Sequence, residues 1–206
     1  MGKSVKSKGI YCLEGLWDHS NIQDKTSVQP VLELLKRTGH CDYMYHDCAT
    51  REELDFFLKK WQSKKINSKF PILYLAFHGE EGCIFVENNS RYTLLELAEI
   101  LADQCMGKVI YFGSCSTLNI DKRKIKSFLQ KTKAIAAIGY KIEIDWIQST
   151  ACDLFVFEAL QQDKLDSQGI NKIHKKIVHD YGDLHKKLDL RIVVNDRQNF
   201  PRKRNT

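Results

Sequence analysis

Two short runs of uninterrupted apolar residues most constrain how this chain can fold, and each stops on a reactive side chain. Pro71 to Phe77 reads Pro-Ile-Leu-Tyr-Leu-Ala-Phe and ends at His78-Gly79. Val109 to Phe112 reads Val-Ile-Tyr-Phe and ends at Gly113-Ser114-Cys115-Ser116. Runs this short, without polar alternation and rich in β-branched and aromatic residues, read as strands buried on both faces. That is the condition of a parallel sheet covered by helices on each side. Such sheets bind their ligands in the crevice beyond the carboxyl ends of the strands. A histidine and a cysteine therefore sit where an α/β protein keeps its chemistry, and the pair suits a thiolate nucleophile with an imidazole base.

The rest of the chain alternates in the same way. A first strand runs from Lys8 to Glu14, followed by a polar loop, Trp17 to Asp24. Val28, Val31, Leu32, Leu34 and Leu35 form a helical stripe within Ser27 to Thr38, and Gly39 supplies the stop. Asp42 to His46 is a second strand. Thr50 with Glu53 makes a capping box for a helix that buries Leu54, Phe57, Leu58 and Trp61. Gly82 to Val86 followed by Asn88-Asn89 predicts a hairpin beside the site. Thr93, with Glu96 at the same capping spacing, opens a helix that buries Leu94, Leu97, Ala98 and Leu101. After the Cys115 run come a basic helix with Ile125, Phe128 and Leu129 inward, and a fifth apolar run, Ala134 to Tyr140. Then follow a helix over Gln148 to Leu160 with Leu154, Phe155, Phe157 and Leu160 inward, a helix over Ile170 to Leu184, and a closing strand, Leu188 to Val194. The expectation is one domain over residues 1–206. Its class is α/β, a three-layer α/β/α sandwich on a mostly parallel sheet of about six strands with right-handed crossovers.

Composition narrows the function classes. No apolar stretch approaches the ~20 residues needed to cross a bilayer, and the lysines of Met1 to Lys8 are not followed by the apolar region of a signal peptide. Neither end carries a lipidation signal. Seven cysteines, an odd number without framework spacing, fit a reducing compartment in which a free thiolate persists. The expectation is a soluble cytoplasmic protein that needs no membrane. The net charge of +6 is spread along the chain, with clusters at Lys122 to Lys133, Lys172 to Lys187 and Arg202 to Arg204. These clusters read as solvated helix faces and a basic tail, because no nucleic-acid-binding module accompanies them. His40, Cys41, His46 and Cys48 lack the spacing of a zinc site, and alternation sends Cys41 and His46 to opposite strand faces. No metal and no cofactor are expected. Cys12, Cys83, Cys105 and Cys152 read as packing residues, and Tyr43 and Tyr45 as a packed face.

His78 and Cys115 are separated by about one crossover, which sets their strands side by side. Neighbouring strands lie ~4.8 Å apart, so side chains just past their ends can flank one carbonyl. Cys115 would attack, and His78 would supply the proton to the leaving amine. The N–H groups of Gly79 and Cys115 would hold the oxyanion, with Gly79 bringing its backbone close because no Cβ intervenes.

Tyr-Leu-Ala-Phe-His-Gly and Ile-Tyr-Phe-Gly-Ser-Cys-Ser resemble the two catalytic motifs of caspase-like (clan CD) cysteine peptidases, most closely those of CHAT domains, bacterial relatives of caspases and separases. Ala134-Ile-Ala-Ala-Ile-Gly-Tyr, then Asp145 and a helix with Phe155 and Leu160, is similar to the fifth strand, acidic loop and aromatic helix of that group. The likeness covers roughly Ile72 to Leu160. It departs at Ser116-Thr117-Leu118, where CHAT domains have an acidic or threonine residue and a glycine, and it lacks their Trp-Pro in the fifth-strand loop. The resemblance implies a cysteine endopeptidase with Cys115 and His78 as the dyad, acting on protein substrates. No long linker follows Cys115, so control by a partner protein, a ligand or dimerisation is implied rather than cleavage, as in bacterial defence or cell-death systems.

In such a fold Ser114 and Ser116, together with Glu143, Asp145 and Trp146 of the fifth-strand loop, would line the pocket for the residue before the cut bond (P1). The two acids there would favour a basic P1; the alternative is that they are ordinary loop acids. Two rivals remain: an inactive caspase-like scaffold that binds a protein partner through the same crevice, and, more distantly, a nucleotide binder, for which no Gly-rich loop follows the first strand.

Overall fold

The computed structural model describes residues 7–21, 23–87 and 90–196. Asn88-Asn89, the amino-terminal lysines up to Lys6 and the basic tail Arg202 to Arg204 lie outside the described residues. Six strands form the main sheet: β1 (Ile10–Glu14), β2 (Tyr43–Asp47), β3 (Ile72–Ala76), β7 (Val109–Phe112), β8 (Ala136–Tyr140) and β9 (Leu190–Val194). Their order is β2-β1-β3-β7-β8-β9. Every neighbouring pair is parallel except β8 and β9. The three segments β4 (Gly79–Glu80), β5 (Cys83–Val86) and β6 (Ser90–Thr93) form a separate antiparallel sheet that leaves the main one at His78.

Alternation along each strand splits the core into two layers. On one face Ile10, Cys12, Tyr74, Tyr111, Ile138 and Tyr140 pack against α1 (Gln29–Arg37), α6 (Trp146–Gln162) and α7 (Ser167–Asp180). On the other, Tyr11, Leu13, Leu73, Leu75, Ile110 and Phe112 pack against α2 (Arg51–Trp61), α4 (Leu94–Ile100) and α5 (Lys122–Thr132). The result is the three-layer α/β/α sandwich that the apolar runs required. A strand covered on both sides cannot alternate with polar residues, because either face would bury them.

The helix starts follow the capping chemistry in the sequence. Thr50 Oγ1 accepts from the Glu53 N–H at 3.2 Å while the Glu53 carboxylate accepts from the Thr50 N–H at 3.1 Å. Thr93 and Glu96 repeat the exchange. Three expectations need correction. Ile170 to Leu184 is not one helix: α7 stops and α8 (Gly182–Lys187) begins at Tyr181, whose φ of -132° and ψ of 32° break the helix and whose ring stacks on Phe155 at 3.9 Å. The short α3 (Lys64–Asn67) has no sequence counterpart among the expected elements. In α6 the buried face is Cys152, Asp153, Val156, Phe157, Ala159 and Leu160, whereas Leu154 and Phe155 are only half-buried.

Of the His40, Cys41, His46 and Cys48 cluster, the two cysteines lie in different layers. Cys41 packs in one layer and Cys48 in the other, and His46 stacks on Phe57 at 4.0 Å. Among the described residues no helix is long and apolar enough to cross a membrane.

Candidate active site

The register of β3 and β7 decides what meets at the strand ends. Ile72 lies opposite Val109 and Leu75 opposite Phe112. His78 and Cys115 each follow the last pair, Leu75 and Phe112, by three residues, so both lie just past the same ends of neighbouring strands. Both line one cavity of about 130 Å³, together with Trp17, Tyr74, Ser114, Trp146 and Asp153. A larger cavity of about 460 Å³ opens between α4 and α5, where Leu94, Leu95, Ala98 and Phe128 line it, and it holds neither reactive group. Convergent polar and nucleophilic groups, not volume, make the smaller one the candidate site.

His78 is exposed, and its Nε2 lies 2.7 Å from the Trp17 carbonyl oxygen. A carbonyl oxygen only accepts, so Nε2 carries the proton and neutral His78 keeps Nδ1 as its acceptor. The Trp17 indole stands edge-on to the imidazole, with ring centres 5.1 Å apart, and edge-on to Trp146 at 4.7 Å. Among the described residues no hydrogen bond joins Cys115 Sγ to His78. In unliganded sites such contacts are long and tighten when substrate arrives.

The turn after β7 is fixed by close approaches that only glycine permits. A Cβ on Gly113 would lie 2.5 Å from the Tyr74 hydroxyl oxygen and 2.6 Å from its ring. A Cβ on Gly79 would lie 2.4 Å from Thr117 Oγ1 and 2.9 Å from the Cys115 carbonyl oxygen. Thr117 Oγ1 is itself tied to Ser114 Oγ at 2.7 Å and donates to the Cys83 carbonyl at 3.1 Å, stitching the cysteine turn to the small sheet. The Phe85 N–H donates to the His78 carbonyl at 2.8 Å, which makes Gly79 and Ile84 the non-hydrogen-bonded pair of the β4–β5 ladder. The Gly79 N–H thus points out of the ladder, available to an oxyanion. Ser116, at φ +53°, spends its N–H on the Ile142 carbonyl at 3.0 Å and does not line the cavity.

The expected acidic pair lies elsewhere. Glu143 is exposed and outside the cavity lining. Asp145 is also exposed and caps α6, its carboxylate accepting from the Gln148 N–H at 3.0 Å. Trp146, by contrast, does line the cavity. The acid at the cavity is Asp153, on the inner face of α6. It accepts from the hydroxyls of Tyr74, at 2.5 Å, Tyr111 and Tyr140, which stand on the adjacent strands β3, β7 and β8. Burial pushes its carboxyl up to about 6, against the three phenols, which pull it down. A family of unknown function, DUF6642, matches residues 7–194. The chain belongs to the DUF6642 family. No curated protein matches it. The DUF6642 match spans β1 to β9, so His78, Cys115 and Asp153 all fall within it.

The thiols separate clearly by environment. Six cysteines are buried and Cys115 is half-exposed. Burial pushes Cys41 up to about 11 and Cys48, Cys105 and Cys152 up to about 12, while Cys12 and Cys83 also move up. Only thiolate alkylates, so iodoacetamide at neutral pH is expected to label Cys115 first of the seven. Peptide mapping over time checks this; labelling of Cys41 or Cys48 at the same rate or faster would deny Cys115 its special status.

Proposed function

We propose that this chain is a caspase-like cysteine endopeptidase that cuts protein substrates after a basic residue. The observation carrying this reading is one cavity that holds a half-exposed thiol, an imidazole with its proton fixed on Nε2, and a buried carboxylate. His78 Nδ1 takes the Cys115 proton, and the thiolate adds to the substrate carbonyl carbon. The Gly79 and Cys115 N–H groups hold the oxyanion. The imidazolium then gives its proton to the leaving amine. Water, deprotonated by the same ring, releases the acid product and restores the thiol. Asp153 replaces Glu143 and Asp145 as the acid that selects a lysine or arginine at P1. Only one phenol engages its second carboxylate oxygen, which leaves capacity for a charge-assisted bond. Seven free cysteines suit a reducing cytoplasm, and the chemistry calls for restraint by a partner or ligand.

The rival reading is an inactive scaffold binding a protein partner through the same crevice. One experiment separates the two. Wild-type protein and Cys115→Ala are incubated with a proteome extract, and new amino termini are mapped. Cysteine-dependent termini following Arg or Lys are expected. Their absence would favour the scaffold, and a uniformly acidic P1 would remove Asp153 from the specificity pocket.

A further inference from the structure

Glu14 ends β1 fully buried, with no cationic partner among the described residues. An isolated carboxylate in such a place is costly unless donors surround it, and four neutral donors do. Trp17 Nε1 and the Val28 N–H donate to Oε1 at 2.6 and 2.8 Å. The hydroxyls of Ser27 and Tyr45 donate to Oε2, both at 2.6 Å. Glu14 therefore clamps both ends of the loop that leaves β1 and returns at α1.

That loop supplies the Trp17 carbonyl, the hydrogen-bond partner of the exposed His78 ring, and the indole against which the ring rests. At the loop's start the Cys48 N–H donates to the Glu14 carbonyl at 2.7 Å and the Gly15 N–H to the Ala76 carbonyl at 2.9 Å, which fix the chain before Trp17 but not the Trp17 peptide plane. We propose that Glu14 is a positioning residue: by gripping Trp17 it aims the carbonyl that holds the proton of His78 on Nε2. This inference rests on the His78–Cys115 reading above.

Chemistry distinguishes position from charge. In Glu14→Gln the amide oxygen keeps Trp17 and Val28, and the amide N–H₂ turns Ser27 and Tyr45 into acceptors. Tyr45 can do this because its hydroxyl can donate to Asp47 instead, at 2.5 Å. In Glu14→Ala every tie is lost. The imidazole nitrogen shifts of His78, the alkylation rate of Cys115 and kcat on an arginyl peptide are compared across wild type, Glu14→Gln and Glu14→Ala.

The alanine variant is expected to lose the Nε2–H tautomer preference and to fall about tenfold or more in alkylation rate and kcat with KM little changed. The glutamine variant is expected to restore all three to within about twofold, since the site depends on geometry. An alanine variant with an unchanged tautomer and alkylation rate would overturn the proposal, as would a glutamine variant as impaired as alanine. Should alanine prevent folding, the double variant Ser27→Ala/Tyr45→Phe decides: it removes both hydroxyls that hold Glu14 Oε2 while leaving the Trp17 indole and its contact with His78 in place, and it must weaken the tautomer preference. A tautomer that responds in a protein that cuts no peptide would support the role of Glu14 while ending the peptidase proposal.

Discussion

Gly79→Ala is expected to fold and to lose about a hundredfold or more in kcat/KM on an arginyl peptide, with a matching fall in the alkylation rate of Cys115. The added methyl would lie 2.9 Å from the Cys115 carbonyl oxygen, 2.9 Å from Ser114 Cβ and 2.4 Å from Thr117 Oγ1. None of these is the loose end of a long side chain. Thr117 is held by Ser114 and by the Cys83 carbonyl, and the other two contacts belong to the turn itself. The turn must back away, carrying Sγ with it. Overpacking of this kind costs ~1–3 kcal/mol of stability, which a domain with two well-filled layers can absorb. A displacement of ~1 Å at the reacting atom is far more damaging to rate than to folding. Gly182→Ala is the control, because a Cβ there meets nothing within 4 Å. Thermal unfolding and kinetics on both variants give the comparison. Activity of Gly79→Ala within about threefold of wild type would mean that the close approach of the small sheet does not set the thiol.

The strands that lead to His78 and Cys115 were legible because a strand buried on both faces leaves a compositional mark, and because a single crossover between them sets parallel strands side by side. The acid that lines the cavity was not legible in the same way. Asp153 sits in a helix that is apolar nearly all round, so no stripe singled out its inner face, and the acids of the preceding loop drew attention instead. A signal did exist. Tyr74, Tyr111 and Tyr140 fall on inward positions of three apolar runs, and buried phenols need an acceptor. The helix packed over them had to supply it, and Asp153 is the acid within Gln148 to Leu160 other than Glu158, which is half-buried and bonds Gln162 on its own helix. Trp17 was harder still. Its part is played through a backbone carbonyl, which leaves no trace in the choice of side chain, and a polar loop gives no periodicity to place it.

Asp153→Asn is expected to abolish cleavage after arginine and lysine while changing the pH dependence of stability in a direction that can be worked out beforehand. The folded carboxyl titrates near 6, above its ordinary 3.8, chiefly because burial penalises the charge. Below about pH 4 it is protonated in both folded and unfolded chains, and the group contributes nothing. Between about 4 and 6 the folded chain retains a proton that the unfolded chain releases, so stability falls as pH rises. Above that window the folded state bears the whole cost, on the order of 3 kcal/mol for a shift of roughly two units. His174 and His185 act in the opposite sense: burial lowers both, so their contribution is lost as pH falls. The difference between wild type and Asp153→Asn cancels them and isolates the carboxyl. That difference should move in favour of the variant by roughly 3 kcal/mol between pH 4 and pH 7.5, read by urea unfolding at each pH. A flat difference would place the titration elsewhere. The two effects share one cause: the ionised carboxylate that burdens the empty fold at neutral pH is the form that a guanidinium or ammonium can pair with. Arginyl cleavage by the wild type should accordingly rise as pH passes through about 6, and an acid kept under three phenols at a standing cost in stability is what a cation-selecting cavity requires.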